Sequence, residues 1–348
     1  MAQKKRQQQY SGIGGQAVLE GVMMRNKSLM AVAVRKPDGE IEVAVDEFHG
    51  IGEKTLWKKI PLIRGVLSFV DSLITGMKAL NFSSSFYEDG EDEESGAKKK
   101  KEKTPEQQAR EDSIVTGITM VISVILALAI FLALPLFLSS LLEGFIRSDA
   151  VMAILEGLIR LGIFLLYMVL ITLMPDIKRL YRYHGAEHKC INCIERGAVL
   201  TVDNVLESSR FHKRCGSSFI ILILIISIIL FFFIRVDNYA ERLFLRLLLI
   251  PVIAGISFEF LRYAGRHSNR FVDIISAPGV WLQHLTTKEP DEAIVEVAIS
   301  SVEAVFDWRA YLKRTFGYTE QEIDQALEEA ALGGREFEQG RAYREEDL

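Results

Sequence analysis

Apolar residues are concentrated in four long runs of this 348-residue chain, near residues 114–142, 151–174, 217–236 and 243–262. A helix needs roughly 20 apolar residues to cross a hydrocarbon core, and each run reaches that length with its flanks. Short polar turns join the first run to the second and the third to the fourth. The pattern therefore predicts a polytopic α-helical membrane protein whose four spans form two helical hairpins within residues 113–262.

The segment before the first span, residues 12–86, has the pattern of a small α+β domain. Gln16–Met24 predicts one strand. Leu29–Arg35 and Glu40–Val45 then flank Pro37-Asp38-Gly39, a turn in which Pro presets φ and Gly accepts a positive φ. The β-branched residues of both arms predict a β-hairpin.

A helix is expected after Pro61, which is tolerated in a first helical turn. Apolar side chains recur there at helical spacing: Leu62, Ile63, Val66, Leu67, Val70, Leu73, Ile74 and Met77. An amphipathic helix of this kind either covers the sheet with its apolar face or lies on the membrane surface. We favour the first arrangement.

The other segments are more polar. Residues 87–112 are rich in charge and poor in apolar surface, so we expect a disordered linker. Residues 263–310 are expected to form a C-terminal α/β segment, with a turn at Ala277-Pro278-Gly279 and a strand or packed helix over Ala293–Phe306. Residues 311–348 are expected to form a polar tail.

Basic residues indicate which side faces the cytoplasm. The loop between the hairpins, residues 175–216, carries eight: Lys178, Arg179, Arg182, Lys189, Arg196, Arg210, Lys213 and Arg214. The turn after the first span has only Arg147. Because basic loops stay inside, both termini and the central loop are predicted to be cytoplasmic.

Charge and cysteine content narrow the chemistry. The formal net charge is −5, which argues against nucleic acid as a partner, because that would need a basic face. The start of the chain has no apolar run typical of a secretory signal. All three cysteines, Cys190, Cys193 and Cys215, fall in the central loop. Their odd number and clustering favour metal binding or free thiols over a disulfide framework.

The central loop offers two sets of metal ligands. In the first, His184 and His188 lie four residues apart and share one face of a helix, with Glu187 beside them. This H-x-x-E-H spacing is that of inverted zinc peptidases, in which a carboxylate takes a proton from bound water. His212 and Cys215 would supply further ligands.

The second set pairs Cys190 and Cys193 with His212 and Cys215 in a closed structural zinc site. At about 100° per residue, a continuous helix turns Cys190 and Cys193 away from the His184 face, so the two sets exclude each other. We favour the first set. A third interpretation is that these residues only pack and hydrogen-bond, without a metal.

Ionisable residues inside the apolar runs are further candidates. Glu259 lies toward the cytoplasmic end of the fourth run, where it could reach the central loop as a ligand or base. Glu156 and Arg160 lie four apart in the second run and would form an ion pair or line a transport path.

Several motifs carry a resemblance to a known family. The segment Gly14–Arg25, Tyr183–Lys189, Arg214-Cys215-Gly216 and Ser276–Trp281 resemble the YqhQ family of bacterial membrane proteins, described as predicted metal-dependent enzymes. The resemblance runs from about Gly12 to Ala304. It implies a bacterial inner (cytoplasmic) membrane protein, and it implies that Gln16, Glu20 and Arg25 matter, folded over the central loop.

The favoured function is therefore a membrane-bound, zinc-dependent hydrolase or peptidase with His184, His188, His212 and Cys215 as ligands and Glu187 or Glu259 as the base. The alternative is a non-enzymatic factor that assists membrane-protein assembly or translocation, with a structural metal site. A transporter is a third hypothesis. Membrane lipid, other membrane proteins and a second copy of the chain are the expected partners.

Overall fold

The computed structural model describes residues 8–51, 59–87 and 105–345, except residues 143, 147, 235, 237, 266 and 268. Most of the expected charged linker, residues 87–112, lies outside these ranges. The chain begins with four strands: β1 (Ile13–Val18), β2 (Gly21–Asn26), β3 (Leu29–Arg35) and β4 (Ile41–Glu47). Each strand pairs antiparallel with the next, so the sheet order follows the chain.

Helices follow the sheet. The first six are α1 (Pro61–Ser84), α2 (Pro105–Leu128), α3 (Leu134–Ser140), α4 (Asp149–Ile171), α5 (Pro175–Glu195) and α6 (Val202–Glu207). The next six are α7 (Gly216–Phe232), α8 (Tyr239–Ala264), α9 (Arg270–Thr286), α10 (Glu292–Val305), α11 (Trp308–Phe316) and α12 (Glu320–Glu345). A π-helical turn, Ala129–Ala133, joins α2 to α3.

The predicted hairpin is confirmed as β3 and β4, with Gly39 at a positive φ of 91° in the turn. The prediction of one strand over Gln16–Met24 is wrong, because the chain turns at Glu20 and forms both β1 and β2. Glu20 takes a positive φ of 50° without being Gly or Asn, so nothing in the local sequence indicates the turn.

Both faces of the sheet are covered, which explains the continuous apolar runs of β2 and β3. Side chains alternate across the sheet. Val22 and Met24 face the core formed with α5 and α10. Met23 and Val32 face the opposite side, where Ala79 of α1 packs on them. The sheet therefore fixes α1 and α5 on opposite sides of β1.

Helix α1 covers the sheet, as we expected, only at its C-terminal end. Ala79 and Phe82 cover the sheet. Farther toward its start, α1 packs against α8 through Gly65, while Leu62 and Leu73 are exposed. Small residues, rather than the apolar stripe, therefore make the inward face of α1.

Among the described residues, three helical segments are long and apolar enough to cross a membrane: Gly117–Ser140, Ala150–Ile171 and Tyr239–Ala264. The third of the four expected spans corresponds to α7, which is apolar but only 17 residues long. Helix α7 packs against both α4 and α8. The apolar helices α4, α7 and α8 thus pack as one bundle.

The C-terminal expectations need two corrections. Residues 263–310 do not form an α/β segment, because the part of them that the structure describes is helical. The expected turn at Ala277-Pro278-Gly279 lies inside α9, where Gly279 packs closely on Ser218 of α7. Ala293–Phe306 is the helix α10, which buries one face on the sheet and α5. The expected polar tail, residues 311–348, is also wrong at its start, because Tyr311 and Leu312 of α11 are buried in the same core.

Candidate metal centre

Helix α5 is continuous from Pro175 to Glu195 and places its histidines and cysteines on different faces. His184 and His188 lie one turn apart, with ring centroids 4.5 Å from each other. Cys190 and Cys193 are fully buried in the core among α5, α10 and the sheet. The helix therefore separates the two predicted ligand sets, as its periodicity requires.

Cys215 comes to His184 and His188 from the next segment of chain. It caps the N-terminus of α7, where its Sγ accepts a hydrogen bond from the backbone N–H of Ser217 at 3.4 Å. Nε2 of His184 lies 3.0 Å from that Sγ. One ligand atom from each of the three residues lies within 4.8 Å of the others.

Backbone carbonyls orient both imidazole rings. Nδ1 of His184 lies 2.8 Å from the carbonyl oxygen of Thr286, and Nδ1 of His188 lies 2.7 Å from that of Arg210. A ring that donates its Nδ1 proton to a carbonyl presents Nε2 as a metal ligand, the usual arrangement around metal-binding histidines. Nε2 of His188 is buried and has no hydrogen-bond partner among the described residues.

These three residues fit zinc by their chemistry. Imidazole nitrogen and thiolate sulfur are its common ligands, and tetrahedral bond lengths of about 2.0–2.3 Å bring ligand atoms to roughly 3.5 Å from one another. A mutual separation within 4.8 Å needs only small side-chain rotations to reach that spacing. Three protein ligands would leave a fourth position for water or substrate.

The charges in the cluster favour a thiolate. Burial alone would raise the pKa of Cys215, but the charges of His184 and His188 lower it well below its usual value. Burial alone would lower the pKa of His184. The charge of Cys215 and its hydrogen bond to the ring, together with Glu187 and the carbonyl of Thr286, outweigh burial and raise that pKa to about 9. A thiolate is the form that binds metal.

Glu187 lies on the same side of α5. Its Oε2 is 3.9 Å from Nε2 of His184, and burial raises its pKa above the usual range while the charges of both histidines partly oppose the rise. Gly15 of β1 lies directly against the Glu187 side chain, so that a Cβ built on Gly15 would be 2.9 Å from Cγ of Glu187. A carboxyl with a raised pKa beside a metal is suited to proton transfer.

His212, the remaining predicted ligand, lies beside the three-residue cluster but has different partners. Its ring centroid is 5.6 Å from that of His188. Its Nε2 accepts from Arg214 at 3.1 Å and lies 3.7 Å from Oε2 of Glu195. Burial, together with the charge of Arg214, lowers the pKa of His212 to about 4, against the opposing effect of Glu195.

Glu195 is a residue that the sequence reasoning missed. It is buried on the last turn of α5, where it pairs with Arg214 and accepts from both the backbone N–H and the hydroxyl of Ser11. Burial would raise its pKa, but His212 and Arg214 lower it to about 2. No local spacing signals this role, because the partners come from segments distant in the sequence.

The structure pairs Glu259 with a residue on another helix. Arg64 of α1 binds its two carboxylate oxygens at 2.9 and 2.5 Å. Because this ion pair engages both oxygens, we leave Glu259 out of the metal centre.

The three N-terminal residues that the family resemblance singled out lie around the central helix. Glu20 pairs with Arg179 of α5 and accepts a hydrogen bond from the hydroxyl of Tyr183 at 3.1 Å. Gln16 packs on Gly76 of α1. Arg25 lies over the ring of Phe48, 3.5 Å from its centroid.

A cleft of about 710 Å³ opens beside the cluster, and His184, Glu187 and Cys215 form part of its wall. The other walls come from β1 and β2, from α1 and from the last turns of α8. A molecule bound in this cleft would therefore meet His184, Glu187 and Cys215.

Comparison with known proteins gives relatives but no reaction. A family model described as a protein of unknown function (DUF1385) matches residues 60–308. An uncharacterised protein named YqhQ from Bacillus subtilis (strain 168) is 37% identical over 300 residues, which cover 83% of this chain and 90% of that protein. No solved structure matches. The chemistry therefore has to be argued from the site itself.

Proposed function

The chain belongs to the YqhQ family, whose function is unknown, and from that premise we propose that it is a zinc-dependent hydrolase of the bacterial inner membrane. The observation that carries the proposal is the convergence of His184, His188 and Cys215, two of which, His184 and Cys215, lie in the wall of a cleft. Nε2 of His188 is buried and has no hydrogen-bond partner among the described residues. If these residues only packed or hydrogen-bonded, this buried nitrogen would be expected to have a partner.

The proposed topology has four spans, with both termini and the metal centre in the cytoplasm. Three helices have spanning length, and the 17 residues of α7 lie at the short end of the lengths that cross a bilayer. Basic residues around α5 support the orientation. In this topology α5 runs out of the membrane directly after α4, so the site lies at the membrane surface.

In the proposed site, His184, His188 and Cys215 would hold zinc beside the cleft. Zinc would lower the pKa of a bound water and polarise the bond to be cleaved. Glu187 takes a proton from the attacking water and returns it to the leaving group, so that the products are those of hydrolysis. Gly15 leaves room for the Glu187 side chain beside β1.

The alternative, a non-enzymatic factor for membrane-protein assembly or translocation, requires a closed structural site. His212 is the predicted fourth ligand that would complete one, but its Nε2 is engaged by Arg214. The open cleft therefore favours the hydrolase. Membrane lipid, other membrane proteins and a second copy of the chain stay proposed partners.

Metal analysis of the purified full-length protein tests the proposal. We expect about one zinc per chain in the wild type and a loss of most of it in His184→Ala, His188→Ala and Cys215→Ala. Cys190→Ala and Cys193→Ala are matched controls, because these thiols lie on the other face of α5 and should leave zinc unchanged. Zinc lost in the controls but retained in the histidine variants would refute the ligand set.

Glu187→Gln separates the two functions. The variant should retain zinc yet fail to restore the phenotype of a deletion strain, because the amide cannot take a proton. Full complementation by a zinc-loaded Glu187→Gln protein would rule out the hydrolase and leave the accessory role.

A further inference from the structure

The walls of the cleft carry more positive than negative charge. Arg25, Lys27, Arg214 and Arg262 line it, whereas Glu187 is its one acidic residue among those described. Arg214 is neutralised by its ion pair with Glu195, outside the cleft. The lining therefore carries four cationic side chains and a single carboxyl, that of Glu187.

Arg262 differs from Arg214 in having no acidic partner among the described residues. It lies on the last turn of α8 and is half-buried. In the described part of the chain no carboxylate lies within ion-pairing distance of it, although Arg64 and Arg214 nearby each have one. A partly buried guanidinium without an anion is a ready partner for an anionic ligand.

Zinc at the proposed site would add to this charge. Two neutral imidazoles and one thiolate leave a bound Zn²⁺ with a net charge of about +1. The metal and the arginines would then act on one cleft, and such clefts concentrate anions. A phosphate group could bind to both the arginines and the metal, since guanidinium groups and metal ions each bind phosphoryl oxygens.

The cleft also reaches the membrane. Phe258 and Leu261, on the last turns of the spanning helix α8, line it together with Ser72 and Thr75 of α1. On the outer side of α1, Leu73 and Ile74 are exposed. A ligand with an apolar tail could therefore keep the tail among α1, α8 and lipid while its polar end enters the cleft.

We propose that the substrate of this site is an anionic, phosphate-bearing molecule held in the cytoplasmic leaflet, with its phosphate bound by Arg262 and Arg25 beside the metal ligands. This inference rests on the proposed function and narrows it, because it selects a lipid-like phosphate compound over a peptide.

Binding to the full-length protein in neutral detergent tests the inference. The probes are short-chain phosphatidate, short-chain phosphatidylcholine and inorganic phosphate. Calorimetry should give the tightest binding for phosphatidate, with the zwitterionic lipid and the free phosphate each at least about tenfold weaker, because one lacks the net charge and the other lacks the tail. With Co²⁺ at the site, phosphatidate should show paramagnetic broadening of its phosphorus resonance.

Charge-removing variants locate the phosphate. Arg262→Gln and Arg25→Gln should each weaken phosphatidate binding about tenfold, the effect of losing a charge-assisted hydrogen bond, while metal content stays unchanged. Arg270→Gln is the matched control, since Arg270 is exposed at the start of α9, outside the cleft lining. Its affinity should match the wild type.

The outcomes separate this inference from the proposed function. Equal affinity for phosphatidylcholine, or unchanged binding in both arginine variants, would overturn the anionic substrate even in a zinc-loaded protein. Equal affinity for inorganic phosphate would overturn the membrane-held substrate. A protein that takes up no metal but binds phosphatidate through Arg262 would refute the metal centre and support the binding of a phosphate-bearing ligand in the cleft.

Discussion

Gly65 of α1 lies directly against Gly255 of α8. A Cβ built on Gly65 would come within 2.8 Å of both Cα and the carbonyl oxygen of Gly255. One residue earlier, Arg64 pairs with Glu259 on the next turn of α8. Small residues allow helix backbones to approach this closely in membranes. Helix α1 thus begins beside the apolar stretch of α8 and runs from there to the sheet.

Gly65→Leu should separate α1 from α8. The added side chain has backbone on the opposite side, so overpacking should destabilise the protein by about 1–3 kcal/mol. Thermal unfolding in detergent would measure the loss. Gly162→Leu in α4 is the matched control, because nothing lies within 4 Å of a Cβ there. Equal stability of the two variants would contradict the close packing.

Glu156→Gln should be more damaging than either glycine change. Glu156 binds Arg160 at 2.6 Å and Arg246 of α8 at 2.7 Å, and all three side chains are buried. Removing the carboxylate leaves two arginines without an anion, which we expect to cost about 3–5 kcal/mol. The midpoint of thermal unfolding would report it.

The control for Glu156 is Glu207→Gln, an exposed carboxylate on α6. It should change stability by less than about 0.5 kcal/mol. If Glu156→Gln behaves like this control, the buried ion pairs do not hold α4 and α8 together.

Cys215 should be the reactive thiol of the metal-free protein. The neighbouring histidines lower its pKa, whereas burial raises the pKa of Cys190 well above its usual value and that of Cys193 to about 12. After chelation at pH 7, iodoacetamide should modify Cys215 at least about tenfold faster than the other two. Mass spectrometry of the cysteine peptides gives the rates, with Cys190 and Cys193 as internal controls.

Added zinc should suppress this reaction, because a thiolate bound to metal is a weaker nucleophile. Labelling of Cys215 that is no faster than that of Cys193, or that zinc leaves unchanged, would count against the assigned ligand.

His212 should make the folded protein less stable as the pH decreases. Its pKa is about 4 in the folded chain and 6.5 when unperturbed, so the unfolded chain binds more protons between these values. Stability is therefore lost as pH decreases from 6.5 to 4, by about 3 kcal/mol over the window. Thermal unfolding of the metal-free protein at several pH values would show it.

His212→Gln should flatten the pH dependence above pH 4.5. Below that value Glu195 adds a second loss in either protein, because its pKa is depressed to about 2 and its stabilisation disappears as it gains a proton. A profile that is equally steep in the variant would mean that His212 is not held neutral.

Local sequence patterns predicted those features that depend on local geometry. The shared face of His184 and His188 follows from their spacing, and the β3–β4 hairpin follows from Pro37-Asp38-Gly39. Non-local packing decided the rest. Pro278 would normally interrupt a helix, yet α9 continues through it, and the next residue, Gly279, packs closely on Ser218 of α7.

The outer part of the site was hidden from the sequence for the same reason. Glu195 accepts hydrogen bonds from Ser11 and Arg214. The carbonyls that orient His184 and His188 belong to Thr286 and Arg210. Backbone carbonyls carry no sequence signal. Without knowledge of the fold, neither set of partners could be assigned.

If the proposed metal centre binds zinc, the position of Thr286 would determine when the protein could acquire the ion during biogenesis. His184 and His188 emerge from the ribosome long before Cys215, and the carbonyl that orients His184 comes later still, after the last apolar helix. The proposed site would therefore be complete only after α8 has been made and α9 has docked. Under the proposed function, a chain stopped within α8 would stay without zinc, so metal content would report completed assembly.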